Sequence, residues 1–184
     1  MLLADLHLGK VTHFRRRGLP VPAAASDGNW DKLLSLLLEF APERVIFLGD
    51  LFHSAYNAEW DAFQSLISRF PGVRFELIPG NHDILPPDKY TGLIVQPQEL
   101  EAGPFLLSHY PVLDPGPLYN LAGHVHPGVR LRGQGRQYLK LPCFYFGEKG
   151  GVLPAFGLFT GLGDIRPKAG DQVFVIAEGQ VLAV

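Results

Sequence analysis

The chain has 184 residues, 47% of them hydrophobic and 18% charged, with 16 Lys and Arg against 18 Asp and Glu, a net charge of −2 and one cysteine. This length suits a single domain, residues 1–184, that buries roughly 70% of the surface its unfolded form would expose, so its core needs neither a disulfide nor a structural metal. The lone Cys143 excludes an intramolecular disulfide and a thiolate zinc site and suits a reducing cytoplasm, no run of ~18 apolar residues could span a membrane, and the slight acidity argues against a protein that coats nucleic acid electrostatically.

In chain order, Leu2-Leu3-Ala4 reads as the end of a buried strand that runs directly into Asp5-Leu6-His7. Strands usually have ~5 to 6 residues, so the natural chain is expected to begin upstream of this short one. Met1 to Asp5 show neither the basic region nor the apolar stretch of a secretory signal. With Ser26 as N-cap, Trp30, Leu33, Leu34, Leu37 and Leu38 recur at helical spacing up to Phe40, and Pro42 closes the segment. Arg44 to Leu48 is an apolar run ending in Gly49-Asp50, as a strand buried on both faces would be. Trp60, Phe63, Ile67 and Phe70 predict a second helix stopped by Pro71-Gly72, and Val73 to Ile78 a third strand entering Gly80-Asn81-His82-Asp83. Such alternation predicts parallel strands with crossover helices, and ligands in such sheets gather at the carboxyl ends of the strands.

After Asp83 the texture changes. Residues 92–95, 105–108, 118–125, 129–131, 137–146 and 173–184 are short strand-like runs separated by Gly and Pro, which predicts hairpins and no helix; Glu178-Gly179 is the cleanest turn.

Five blocks carry the chemistry: Asp5-x-His7, Gly49-Asp50, Gly80-Asn81-His82-Asp83, Ser108-His109 and Gly123-His124-x-His126. Oxygen and imidazole donors without thiolate suit a borderline divalent metal. On an extended backbone the i, i+2 pairs Asp5/His7 and His124/His126 would turn both side chains to one side. The preceding glycines allow sharp turns and close approach. Any one of these histidines alone would read as a core or surface residue; the ordered set reads as a metal site. A Ser-His-Asp hydrolase is the rival constellation, and no Gly-x-Ser-x-Gly elbow is present.

The ordered series resembles the full signature of the calcineurin-like metallophosphoesterases. Ala-Asp-Leu-His-Leu-Gly-Lys, Gly-Asp-Leu-Phe-His-Ser, Leu-Pro-Cys-Phe and Leu-Pro-Ala-Phe-Gly-Leu-Phe-Thr-Gly further resemble its bacterial branch of ligase-associated DNA-damage-response endonucleases or phosphodiesterases. The resemblance implies a four-layer αββα sandwich of two mixed sheets flanked by helices, with the active site at the C-terminal ends of the strands. It further implies two divalent ions, Mn²⁺ as the expected metal with Fe, Co, Ni or Zn as alternatives. Asp5, His7 and His126 would hold one ion, Asn81, His109 and His124 the other, and Asp50 would bridge them. His82 would protonate the leaving oxygen or stabilise phosphoryl charge, with Asp83 orienting its imidazole. Two such ions ~3.5 to 4 Å apart clamp the attacking and leaving oxygens of an in-line displacement and bring the pKa of a bound water toward ~7.

Other polar residues admit two readings. His53 either touches substrate or a metal-bound water, or supports the site structurally. His13 and the run Arg15-Arg16-Arg17 could aim at phosphate oxygens, and a solvated loop is the preferred account for two of the three arginines. Arg130, Arg132, Arg136 and Lys140 could track a nucleic-acid backbone or form the basic face of a hairpin. Tyr56 and Asn57 are candidate pocket residues, and Cys143 reads as a small core residue. Together these features predict a cytoplasmic phosphodiesterase acting on phosphate esters, and the resemblance alone implies single-stranded or damaged DNA or RNA as candidate substrate and association with a ligase repair system. A phosphomonoesterase or nucleotide hydrolase is the alternative. The other class, an inactive binding scaffold, is disfavoured because such proteins tend to lose His82 or a ligand and here none is missing.

Overall fold

Two sheets meet face to face in a computed structural model that describes residues 1–10, 24–53, 58–133, 135, 137–158 and 160–184. The first sheet is parallel, in the order β1 (Leu2–Leu3), β2 (Arg44–Leu48), β3 (Arg74–Ile78), β4 (Ile94–Val95), with α1 (Ala24–Phe40) and α2 (Ala58–Ile67) in the connections. This is the alternation that the first half of the sequence predicts. One pleat face of β2 and β3, carrying Val45, Phe47, Phe75 and Leu77, packs with Leu33 and Leu37 of α1 and Trp60 and Phe63 of α2. The other face, carrying Ile46, Leu48 and Ile78, packs on Leu107, Leu121 and Leu153 of the second sheet. Burial on both faces is why β2 reads as an unbroken apolar run.

The start of α1 and the end of α2 differ from expectation, whereas α1 runs to Phe40 as its spacing predicts. Ser26 lies inside α1 rather than capping it, and α1 ends where Ala41 turns left-handed at φ 38° with its amide on the Leu37 carbonyl, one residue before Pro42. The second helix stops at Ile67, and a tight turn from the Phe70 amide to Ile67 replaces its expected last turn.

The second sheet has nine strands: β5 (Glu99–Ala102), β6 (Phe105–Ser108), β7 (Tyr119–Ala122), β8 (Pro127–Arg132), β9 (Tyr138–Phe146), β10 (Gly150–Val152), β11 (Gly163–Asp164), β12 (Gln172–Ala177) and β13 (Gln180–Ala183). Hairpins were expected throughout, and β5–β6, β8–β9 and β12–β13 are antiparallel neighbours. However, β6–β7, β7–β10 and β8–β11 pair in parallel, so the sheet is mixed. β5, β10 and β11 escaped the sequence reading because Glu-Leu-Glu-Ala, Gly-Gly-Val and Gly-Asp are short and hold at most one β-branched residue among Gly, Asp, Glu, Ala and Leu. Glu178 and Gly179 form the two-residue turn, both with positive φ, the geometry that matches strand twist. Cys143 is buried with Val129, Val173 and Val175, as a small core residue would be. Among the described residues both α-helices lie against the first sheet, so the helical layer expected outside the second sheet has no counterpart there. The sequence after Asp83 carries no 3.6-residue apolar period to build one.

Candidate metal centre

The parallel strands of both sheets end at one place. Asp5 and His7 follow β1, Asp50 follows β2, Asn81 follows β3, His109 follows β6, His124 follows β7 and His126 precedes β8. Neither i, i+2 pair sits on extended backbone, so pleat alternation is not what makes them converge. Asp5, His7, Asp50, His124 and His126 have φ of 55°, 47°, 50°, 65° and 48°, and left-handed backbone turns each side chain inward. Asp and His tolerate this region better than most residues, at about 1 kcal/mol or more apiece. The Gly157 amide donates to the Asp5 carbonyl, and the Asp5 and His7 amides donate to the carbonyls of Gly49 and Asp50, holding these turns.

The glycines of the blocks act by clearance. A Cβ on Gly49, itself at φ 78°, would lie 2.2 Å from His109 Nδ1, one on Gly80 2.3 Å from Asp50 Oδ1, and one on Gly123 2.7 Å from Asp5 Oδ2.

Seven side chains form two groups that share Asp50. Asp5, His7 and His126 form one, with His7 Nε2 3.4 Å from His126 Nε2 and His126 Nε2 3.4 Å from Asp5 Oδ1. Asp50, His109 and His124 form the other, with His124 Nδ1 3.1 Å from His109 Nε2 and Asn81 Oδ1 3.4 Å from the same nitrogen. Asp50 reaches both: Oδ2 lies 3.6 Å from His7 Nε2 and Oδ1 3.6 Å from His109 Nε2.

Hydrogen bonds define which atoms point inward. His109 Nδ1 faces the Leu48 carbonyl at 2.9 Å and His126 Nδ1 the Gly161 carbonyl at 3.2 Å, so each carries its proton there and presents a bare Nε2 to the centre. Burial above all, with the charge of Lys10 and the neighbouring imidazoles adding, pushes the His7 pKa down to about 2. Desolvation, then His109, also lowers that of His124. Asp5 Oδ1 is buried and accepts no hydrogen bond. Imidazole nitrogens and carboxylate oxygens gathered at one place without thiolate are a donor set that fits a divalent ion.

His82 and Asp83 lie beside this centre. The His82 amide donates to Asp50 Oδ1 at 2.9 Å, and His82 Nδ1 faces the His53 carbonyl at 3.2 Å. The sequence predicts that Asp83 orients the His82 ring, but that ring's Nδ1 meets the His53 carbonyl and the Asp83 carboxylate meets backbone amides. Its Oδ1 accepts the amides of Leu51 and Phe52 and its Oδ2 that of Gly80, so it ties the loop after β2 to the loop after β3. Burial pushes its pKa up to about 6 against the pull of these amides. The His53 ring stacks on His82 at 5.0 Å, and His7, His53 and His82 form a third histidine cluster.

Arg130 and Lys140 both pair with Asp164, at 3.3 and 2.7 Å, so these two candidates for a phosphate track are committed within the protein. Arg15, Tyr56 and Asn57, with His13, Arg16, Arg17 and Arg136, lie outside the described residues. Three residues at the centre escaped the sequence reading. Burial lowers the Lys10 pKa, against the opposing pull of nearby Asp50 and Asp5. Tyr110 donates its hydroxyl to Asn81 Oδ1 at 3.2 Å, and its place directly after His109 was the available signal. Buried Asn120 accepts the Val112 amide and donates to Ser108 Oγ and the Leu106 carbonyl, pinning the His109 loop; an isolated Asn in a strand carries no such signal.

Two clusters of oxygen and imidazole donors, linked by Asp50 at the carboxyl ends of two packed sheets, form a candidate site for divalent metal. The chain belongs to the calcineurin-like phosphoesterase family, whose model matches residues 1–151, and it is a metal-dependent phosphoester hydrolase. It is similar to the crystal structure of the Pseudomonas putida nuclease MPE, at 32% identity and a TM-score of 0.80, covering 100% of this chain and 86% of that one. A likeness to YfcE, a phosphoesterase from E. coli, has 16% identity and a TM-score of 0.48, covering 100% of this chain and 96% of that one. Curated protein sequences give no match. No helix among the described residues is long and apolar enough to cross a membrane.

Proposed function

We propose that this chain, acting as a single domain over residues 1–184, is a phosphodiesterase that hydrolyses DNA or RNA strands with a pair of divalent cations. The observation that carries the reading is Asp50, whose two oxygens face opposite half-sites in a chain similar over its full length to a nuclease. Asp5, His7 and His126 hold one cation, Asn81, His109 and His124 the other, and Asp50 both, with Mn²⁺ the first choice. When bound, the ions acidify water and neutralise phosphate charge.

The chain's own residues do the rest. Asp5 and Asp50 are the only carboxylates among the seven ligands, and neutral Asn81 adds no charge, so the loaded centre stays positive toward an anionic diester. His82 carries a proton on Nδ1 toward the His53 carbonyl, which leaves Nε2 to meet the substrate. As the P–O bond to the leaving group breaks, a His82 ring that carries a second proton, on Nε2, would pass that proton to the departing oxygen and keep the one on Nδ1. His53 stacks on His82 and limits its rotation, and Arg15, Tyr56 and Asn57 are candidate substrate contacts. A cytoplasmic DNA-repair setting beside a ligase follows from the branch resemblance.

The test is a metal-by-substrate matrix. With Mn²⁺, bis(p-nitrophenyl) phosphate should be hydrolysed faster than p-nitrophenyl phosphate, and the reverse order would make the protein a monoesterase. His82→Ala should slow oligonucleotide cleavage by ~10² to 10⁴-fold with metal content by elemental mass spectrometry unchanged. Loss of metal in that variant would reassign His82 to the ligand set.

A further inference from the structure

Tyr110 is held as firmly as a core residue yet remains at the surface. Its hydroxyl donates to Asn81 Oδ1, and its ring meets His109 at 4.7 Å and His124 at 4.5 Å, with interplanar angles of 74° and 59°. The backbone on both sides is fixed, since Ser108 Oγ donates to the Tyr110 carbonyl at 2.7 Å while Asn120 holds both Ser108 and the Val112 amide. The side chain nonetheless remains 45% exposed. The same two loops expose further apolar side chains, Ile84 at 66% and Leu113 at 95%. The hydroxyl holds Asn81 and the ring leans on His109 and His124, yet a large part of that ring still faces solvent.

We propose that Tyr110 is the platform of a nucleobase subsite, on which a base flanking the scissile phosphate stacks. This rests on the nuclease reading and names how the same site holds its substrate. In a nucleotide the base sits one sugar away from the phosphate, so a ring against His124 and Asn81 is within reach of the base rather than of the phosphate. Every base has a π face, so the subsite accepts single strands of any sequence, with bases free of a pairing partner. Stacking also supplies affinity that charge does not: the chain carries a net −2, and Arg130 and Lys140 are taken up by Asp164. A ring already immobilised by its neighbours loses little further freedom when a base docks.

The experiment compares the wild type with Tyr110→Phe, Tyr110→Leu and Tyr110→Ala on a single-stranded oligonucleotide and on the same strand with abasic sites flanking the cleaved linkage. The wild type should show a KM about tenfold lower on the base-bearing strand. Tyr110→Phe, which keeps the ring and loses the Asn81 contact, should retain that ratio. Tyr110→Leu and Tyr110→Ala should bring the ratio, which compares two strands on the same variant, to about one. A wild type without the preference, or a Tyr110→Ala that keeps it, overturns the platform while leaving the nuclease reading intact. A ratio lost equally in Tyr110→Phe assigns the effect to the hydroxyl on Asn81 and also overturns it. A wild type that cleaves neither strand but hydrolyses small phosphate esters overturns the nuclease reading and the platform with it.

Discussion

Five of the seven non-glycine residues with positive φ among the described residues are ligand candidates. Strain of this kind survives only where surrounding contacts over-determine it, and here the carboxylates supply some of them. Asp5 Oδ2 accepts the His124 amide at 2.8 Å while Oδ1 faces His126 and His109. One side chain thus orients the loop that brings the opposing histidines. Asp83 does the same between the loops after β2 and β3. An Asn at 83 can accept at one oxygen only, so Asp83→Asn should leave at least one buried amide unmatched and cost about 1 to 3 kcal/mol. Urea unfolding would register this as a lower midpoint, and an unchanged midpoint would mean that these amides have other partners.

Among the elements, β3 carries the clearest electrostatic signature away from the metal centre. Glu76 is fully buried between the sheets, where Arg44, Arg74 and Gln96 hydrogen-bond its carboxylate. Arg44 most of all holds its pKa down to about 2, from an ordinary 4.5. A depressed folded-state pKa stabilises the fold at neutral pH, and that stabilisation fades as pH falls from about 4.5 to about 2. Both arginines reach solvent, so the contribution is about 2 kcal/mol. Glu76→Gln should therefore be less stable than the wild type at pH 7, with the gap closing by pH 2 to 3. A gap that stays constant across that range would show that packing, not charge, is what the substitution removes. The neighbouring helices were legible because Leu33, Leu37, Trp60 and Phe63 face one core. The end of α1 at Phe40 was legible from Pro42, whereas the start of α1 and the turn at Phe70 leave no mark on apolar periodicity.

At the scale of the whole molecule, stability and the centre are coupled. The first sheet contributes Asp5, His7, Asp50 and Asn81, and the second His109, His124 and His126, so a cation held by both sets cross-links the sheets. The facing donor atoms lie 3.1 to 3.6 Å apart, and a ligand bound only by the folded state stabilises it by about 2.7 kcal/mol at one hundred times its Kd. Adding Mn²⁺ to chelator-treated protein should raise Tm by roughly 5 to 10 °C for a chain of this size, and Asp50→Asn should lose most of that rise. An equal Tm with and without Mn²⁺ would refute the shared centre.

The sequence by itself determined the seven ligand candidates in order, the parallel first sheet with its two crossover helices, and the family. Each of those is written locally, as a short block of polar donors after an apolar run or as a 3.6-residue stripe. The tertiary structure decided the rest. It showed that left-handed turns rather than pleat alternation bring Asp5, His7, His124 and His126 inward, that Asp83 serves backbone amides, that Asp164 takes up Arg130 and Lys140, and that Tyr110 braces Asn81. The physical reason is range: these roles depend on partners 24 to 119 residues away along the chain for Lys140 and Asp5, and a residue's own neighbours in sequence do not specify which distant atoms it will meet.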